Sequence, residues 1–443
     1  MTFPRHLIWF AAALMLALAG CTETTSPPHA TATSTQDPDL AFYRSVLARV
    51  RRNYVDPVNE NRLVDDSLKG MLTGLDPHSD YLDEQEYQDL LDDSAGEFAG
   101  IGAELTRDDG RPVVISPIDD TPAARAGIKP GDIILRINGA VTDGMSLKDV
   151  VDVLRGPPDT KVTLSLARSG RPPFEVTLTR SIIKVNSVKS RLEADGIGYV
   201  RISAFTETTQ HDLAQAIAKL KRQSRGHLLG FVLDLRNNPG GLLDRAADVA
   251  GDFLDGGTTV SIRGRIPDDN YLFSAPLHGD RIKGVPMVVL INGASASAAE
   301  IVAGALQDRR RAEILGTTSF GKGSVQTIIP LDGRGALRLT TARYYTPSGR
   351  SIQGKGITPD RIVDLPKSKA ATEVQIVREI DLPGAIGPTA SASASSEGAY
   401  RKPLPVVIEE VIDSNAMGTK QDYQFQAAFT DLVDHRVQIS RNR

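Results

Sequence analysis

One cysteine stands in this 443-residue chain, at position 21. A single thiol cannot close an internal disulfide, and it excludes a Cys-built zinc cage or a redox pair. The seven histidines are scattered singly, with no His-Glu-x-x-His spacing for zinc. Basic excess is missing too: 51 Lys and Arg face 55 Asp and Glu, a net charge of −4. That removes the electrostatic footprint of a nucleic-acid binder. The apolar run Leu7 to Ala19 is shorter than the about 20 residues a membrane span needs. No internal repeat is visible. What remains is the composition of globular domains, 40% hydrophobic and 24% charged. At roughly 100–200 residues per domain the length suggests two to four of them.

The lone cysteine sits where its position carries meaning. Arg5 and His6 precede the apolar run, which ends Leu18-Ala19-Gly20-Cys21. A basic start, a short apolar stretch and small residues before a cysteine match a bacterial lipoprotein signal. Residues 1–20 are then the signal, Cys21 the lipidated new terminus, and residues 21–38, rich in Thr, Ser and Pro, a flexible tether. The blander readings are an ordinary signal peptide or a buried free thiol.

Apolar residues recur at helical spacing through residues 39–95, broken near Asp56-Pro57 and Asp76-Pro77. Residues 96–181 alternate short strand patterns with Gly and Pro turns and carry one helical stretch, Ser146 to Leu154. Residues 182–382 alternate buried-strand runs, such as Leu228 to Leu235 and Val285 to Ile291, with helical segments such as Ala298 to Leu306. That alternation predicts an α/β domain. Residues 383–403 read as a low-complexity linker, and 404–443 as a C-terminal helical segment around Tyr423 to Val433.

Residues 96–181 resemble a PDZ domain. Gly100-Ile101-Gly102-Ala103 opens a strand, and glycines there let backbone N–H groups cradle a carboxylate. The strand edge can add an extended peptide to the sheet. Ala126-Gly127-Ile128-Lys129-Pro130-Gly131-Asp132 is the more specific feature, followed by the hairpin signal Asn138-Gly139. Helix 146–154 would form the far wall of the groove. Whether the module binds peptide or only packs on its neighbour is open at this level.

The chemistry concentrates later. The strand ending at Ile291 runs into Asn292-Gly293-Ala294-Ser295-Ala296-Ser297-Ala298-Ala299-Glu300. A hydroxyl at the top of a strand, with helix-start N–H groups beside it, suits a nucleophile and an oxyanion. Ser297-x-x-Glu300 equally fits a capping box, and Ser295 could cap as well. Phe320-Gly321-Lys322-Gly323 offers a lysine that desolvation would turn into a general base, or a lysine in a surface turn. Asn238-Pro239-Gly240-Gly241 is a rigid turn able to supply an oxyanion donor, or a plain strand-to-helix turn. A histidine base is the competing arrangement; the nearest, His278, lies in a polar, loop-like stretch.

Together these segments resemble the C-terminal processing, or tail-specific, proteases. The resemblance spans about residues 40–382 and adds Tyr54-Val55-Asp56-Pro57, Leu75-Asp76-Pro77-His78-Ser79 and Gly349-Arg350-Ser351-Ile352-Gln353-Gly354. It implies a multidomain α/β protein: a helical N-terminal region, a β-rich PDZ module, and a crotonase-like serine protease core. It implies Ser297 as nucleophile, Lys322 as base, Gln326 orienting the lysine, and the N–H groups of Ala298 and Gly241 as oxyanion donors. It implies no cofactor and no metal, protein substrates with accessible C-terminal tails, a homo-oligomer with an adaptor protein as a further partner, and a periplasmic or envelope location. Ala299 departs from the serine usual before the glutamate. The rival expectation is a lipid-anchored PDZ scaffold with an inactive protease-like core.

Overall fold

A computed structural model describes residues 37–441, apart from 109, 119, 268–269, 365–370, 377, 388–406 and 413–416. Cys21, the signal segment and most of the 383–403 linker lie outside the described residues. The chain divides into two units, Met1–Leu63 and Val64–Arg443. In the first, helix Pro38–Asn53 is capped by Asp37 and buries none of its residues. Leu40, Phe42, Val46 and Val50 are exposed along it.

In the second unit, a six-stranded sheet forms the centre. Its order is Val188–Leu192, Ile197–Ile202, Gly230–Asp234, Met287–Ile291, Glu313–Gly316 and Arg361–Ile362. The first pair is antiparallel and the rest are parallel. Gly230–Asp234 and Met287–Ile291 are buried at every position. That is why they read as continuous apolar runs rather than alternating ones: both faces are covered. Helices Thr209–Gln223, Leu243–Gly251 and Ala298–Asp308 pack on one face, against Val200, Phe231, Leu233 and Val289. Helix Tyr423–Arg441 covers the other, placing Phe425, Ala428 and Leu432 against Tyr199, Val232 and Leu290. The C-terminal helix therefore spends its apolar face on its own core.

A buried clamp joins that helix to the sheet. Arg236, fully buried, donates to Asp234 at 2.5 and 3.0 Å, to Asp422 at 2.6 and 2.9 Å, and to Gln424 at 3.0 Å. Removing one partner of such a pair strands a buried charge, at a cost of about 3–5 kcal/mol. The clamp holds the strand end that carries the Pro239-Gly240-Gly241 turn.

A second, antiparallel sheet runs Asp80–Leu82, Ala336–Tyr345, Thr258–Gly264, Tyr271–Ser274, with Ser324–Pro330 also paired to Ala336–Tyr345. Asp80–Leu82 falls inside the stretch expected to be helical; it pairs with Ala336–Arg338 and joins that stretch to the core. Likewise the 404–443 segment holds a strand, Val407–Ile412, paired with Ala371–Ile376, before its helix begins. These strands have β-branched or aromatic residues but no long alternation, so period alone did not mark them.

The inserted module has its own sheet, Ala103–Asp108, Arg111–Pro117, Ile133–Ile137, Lys161–Arg168 and Arg171–Thr179, and its own apolar core. Asp132 anchors it, bound by Arg168 through two bonds of 2.6 Å. The strands that lead in and out, Glu97–Gly100 and Ser181–Lys184, pair with each other as a two-stranded stalk.

Candidate active site

Strand Met287–Ile291 ends at Asn292, and helix Ala298–Asp308 begins six residues on. Ser297, between them, has φ 55° and ψ −117°. A non-glycine residue there stores about 1–3 kcal/mol of strain, which its surroundings must hold. They do so through the backbone: Ala296 N–H donates to the Asn238 carbonyl at 2.9 Å, and Phe320 N–H to the Ser295 carbonyl at 3.0 Å. The two serines then separate in role. Ser295 is fully buried; its hydroxyl donates to the Leu235 carbonyl at 2.8 Å and accepts from Asn292 N–H at 2.9 Å. It is a strut between strand ends. Ser297 makes no side-chain cap bond. Glu300 closes its half of the capping box by accepting from the Ser297 N–H at 2.8 Å, and its own N–H donates to the Ser297 carbonyl at 2.8 Å. The Ser297 hydroxyl instead meets the phenol of buried Tyr344.

Glu300 does more than cap. Its carboxylate, wholly buried, also accepts from Ser319 Oγ at 2.5 Å, Gly321 N–H at 2.7 Å and Lys322 N–H at 2.9 Å. One oxygen, Oε2, therefore binds the backbone N–H of both Ser297 and Lys322. Residues separated in sequence are drawn to one point. Tyr344 makes a second bridge, its hydroxyl donating to the Lys322 carbonyl while it contacts Ser297. Burial pushes the Glu300 carboxyl up to about 7, against the downward pull of these donors.

Lys322 lies in a loop that only glycine allows. Gly321 has φ 100°, and a Cβ at Gly323 would stand 2.5 Å from the Gln353 backbone. Burial drives the lysine amine below its ordinary value; Glu379, Asp76 and Glu300 pull it back up, and Arg338 pushes it down further. Among the described residues no hydrogen bond or ion pair reaches its amine. Gln326 Nε2 donates to Ser324 and Thr340, both at 3.1 Å, and leaves its Oε1 without a recorded bond among the described residues.

The Pro239-Gly240-Gly241 turn lies against the serine. A Cβ on Gly240 would stand 2.8 Å from Ser297 Cβ and 3.1 Å from Ala298 N. Gly240 N–H is committed to Asn238 Oδ1 at 2.8 Å. The N–H groups of Gly241 and Ala298 have no recorded acceptor among the described residues. Gly241, at φ 128°, has its Cα against the Phe205 carbonyl, which an added Cβ would meet at 2.1 Å. Gly241→Ala is therefore expected to displace the turn and cut kcat by about 10²–10³-fold, the usual loss for one oxyanion donor. Steady-state kinetics check it; an unchanged kcat would remove Gly241 from the site.

In the PDZ module, Ile101 and Gly102 are buried, and their N–H groups have no recorded acceptor among the described residues. Gly102, at φ 76°, packs its Cα on Thr121, where a Cβ would come within 2.4 Å. Ala103 opens the edge strand of the sheet, and helix Leu147–Leu154, capped by Ser146, neighbours it. His278, the competing base, has its side chain 92% exposed beside Asp255. Among the described residues no group of three or more His, Cys, Asp or Glu could hold a metal ion.

Sequence reading missed Tyr344, Gln353, His78 and Glu379 as parts of this region, and saw Glu300 only as a cap. His78 and Gln353 stood inside quoted motifs, so a signal existed. Tyr344 and Glu379 carried none, since nothing in an isolated residue states what it will pack on.

Residues 196–363 match the peptidase family S41 profile, and residues 113–168 match a PDZ domain. A carboxy-terminal-processing protease of Bartonella bacilliformis is 52% identical over 329 residues, 74% of this chain and 75% of that protein. The chain belongs to the carboxy-terminal processing proteases. A second member, carboxy-terminal processing protease CtpA of Bacillus subtilis, is 35% identical over 334 residues, 75% of this chain and 71% of the relative. Among solved structures, the photosystem II D1 C-terminal processing protease is 33% identical, covering 73% of this chain and 92% of that one with a TM-score of 0.43. The resemblance in the motifs and the α/β fold class with a PDZ module thus both hold. In this processing protease, the Asn238–Gly241 turn, the Ser297 turn, the Lys322 loop and Gln353 meet.

Proposed function

We propose that the chain is an envelope endopeptidase that takes proteins by their free C-terminal tails and cuts them with a Ser297–Lys322 dyad. The observation that carries this reading is the shared Glu300 oxygen, which binds the N–H groups of Ser297 and Lys322 at 2.8 and 2.9 Å. The strained turn that presents Ser297 and the burial of Lys322 support it further.

The chemistry follows from these groups. Neutral Lys322 takes the proton of Ser297 Oγ as that oxygen attacks the scissile carbonyl. The oxyanion is received by the open N–H groups of Ala298 and Gly241. Gln326 offers Oε1 to the ammonium that forms. Lys322 then protonates the leaving amine, and a water, deprotonated in turn by Lys322, hydrolyses the acyl-enzyme. Burial lowers the amine's proton affinity and so raises the fraction present as neutral base. Lipidation of Cys21 after removal of residues 1–20 would place the enzyme at the periplasmic face of a membrane.

The PDZ module supplies the tail site: the N–H groups of Ile101 and Gly102 for the terminal carboxylate, the Ala103 edge for strand addition. A peptide substrate with a free C-terminus is expected to be cleaved with kcat/KM at least about tenfold above its C-terminally amidated twin, since a charge-assisted bond contributes about 1.5–3 kcal/mol. Equal rates would remove tail recognition from the proposal.

A further inference from the structure

The Leu75–Ser79 motif has no part in the mechanism above, yet it is built with care. Asp76, 4% exposed, accepts from His78 N–H at 2.8 Å, Ser79 N–H at 3.0 Å, Ser79 Oγ at 2.6 Å and Thr340 Oγ1 at 3.1 Å. This turn fixes the His78 ring, whose Nε2 reaches Glu379 Oε2 at 2.8 Å. The Glu379 side chain is fully buried. Its other oxygen accepts from Gln353 Nε2 at 2.8 Å. Gln353 in turn accepts from Gly323 N–H at 2.8 Å, and Glu379 N–H donates to the Phe320 carbonyl at 3.2 Å. The Phe320–Gly323 loop, with Lys322 inside it, is thus held at both ends from one carboxylate residue.

We propose that His78 and Glu379 are positioning residues for the Lys322 base: together with Gln353 they hold both ends of its loop, with the buried Glu379 carboxylate turned toward it. This rests on the dyad reading. Loop-holding alone does not call for a carboxylate. A neutral amide at 379 would keep the backbone bond to Phe320 and an oxygen for a donor, without the cost of a buried charge. The charge acts where it is aimed. Among the charged groups facing Lys322, which are Glu379, Asp76, Glu300 and Arg338, Glu379 exerts the largest pull. The Tyr344 phenol, also in the site, senses the same carboxylate. Facing Glu379 itself are the His78 imidazole and the Gln353 amide, with Lys322 beyond them.

Both substitutions move the base the same way. Glu379→Gln removes an anion that favours the ammonium, so Lys322 loses its proton at lower pH and the acid limb of kcat/KM moves to lower pH. His78→Ala removes a donor that stabilises the ionised form of the buried Glu379 carboxylate, so the anion's pull on the amine weakens and the acid limb again moves down, by less. The Glu379→Gln shift is expected to be about half a pH unit or more. The experiment is the pH profile of kcat/KM for the full chain and both variants, on a quenched-fluorescence peptide with a free apolar C-terminus, with Lys322→Ala alongside. Downward shifts support the proposal. Unmoved limbs or upward shifts, with Lys322→Ala inactive, overturn it. An active Lys322→Ala overturns the dyad instead. Should Glu379→Gln fail to fold by circular dichroism, His78→Ala decides alone: a downward shift supports, an unmoved limb or an upward shift overturns.

Discussion

Ser297→Ala is expected to lower kcat for tail-directed cleavage by about 10⁵-fold, and Lys322→Ala by a similar factor. The size follows from the division of labour. A serine hydroxyl is a weak nucleophile until a base takes its proton, so either half alone does little. The losses should not add: the double variant is expected to match the worse single one, because both remove the same step. What survives would be the catalysis left to the oxyanion donors and to binding, about 10³-fold over water. The two alternatives the sequence offered, a second serine and a histidine base, are poorly placed to substitute. Ser295 has its hydroxyl committed to Leu235 and Asn292, and His278 stands exposed beside Asp255. The measurement is turnover of a peptide substrate by purified variants, with intact-mass spectrometry for the acyl-enzyme. Ser297→Ala cleaving within tenfold of wild type would sink the assignment, and so would an acyl adduct on another residue.

Glu300 carries the second large effect, for a different reason. Its carboxylate, fully buried, satisfies Ser319, Gly321, Lys322 and Ser297. Glu300→Ala leaves these donors buried and unpaired, each costing about 1–3 kcal/mol where the site cannot relax. The variant is expected to lose about 3–5 kcal/mol of stability and at least about 100-fold in kcat, as the serine turn and the lysine loop part. Denaturant unfolding and kinetics check it; a loss below about 1 kcal/mol would show that the carboxylate bridges nothing important.

The same residue gives stability a sign with pH. Its carboxyl is held near about 7 in the fold, above its ordinary value of 4.5. The folded state therefore binds this proton more tightly than the unfolded chain. Stability from this group is fully present below the unfolded value and declines as pH rises through about 7. Glu300→Gln has no such proton. The stability of wild type relative to Glu300→Gln is expected to fall between pH 4.5 and 8 by on the order of 2–3 kcal/mol. A difference that is flat, or that grows with pH, would place the carboxyl in its ordinary range.

Much of this was legible in the chain because the relevant physics is local. Buried strands covered on both faces read as apolar runs, so Met287–Ile291 and Gly230–Asp234 announced an α/β core. Gly102, Gly241 and Gly323 occur where a Cβ would strike neighbouring atoms, which is why motifs rich in glycine pointed to close approaches. The helical breaks at Asp56-Pro57 and Asp76-Pro77 were plain from proline and turn chemistry. Strands Asp80–Leu82 and Val407–Ile412 were not, since each exists only through a distant partner, Ala336–Arg338 and Ala371–Ile376.

The capping question shows where the sequence stops. Ser297-x-x-Glu300 taken alone favours a cap over a nucleophile, because both need the same residue types at a helix start and caps are the commoner use. The fold adds what the pattern lacks: φ at Ser297 is 55°, its hydroxyl meets the Tyr344 phenol, and Glu300, while still accepting from the Ser297 N–H, also binds the backbone of Lys322. By itself the sequence determined the residue types, the glycines, the strand and helix periods, and so the family and its expected serine and lysine. Tertiary structure alone decided that Glu300 would span the Ser297 turn and the Lys322 loop, that Tyr344 would lie on the serine, and that His78 would meet Glu379. Those are contacts between side chains brought together from far along the chain, 301 positions apart for His78 and Glu379, and packing rather than local preference chooses them.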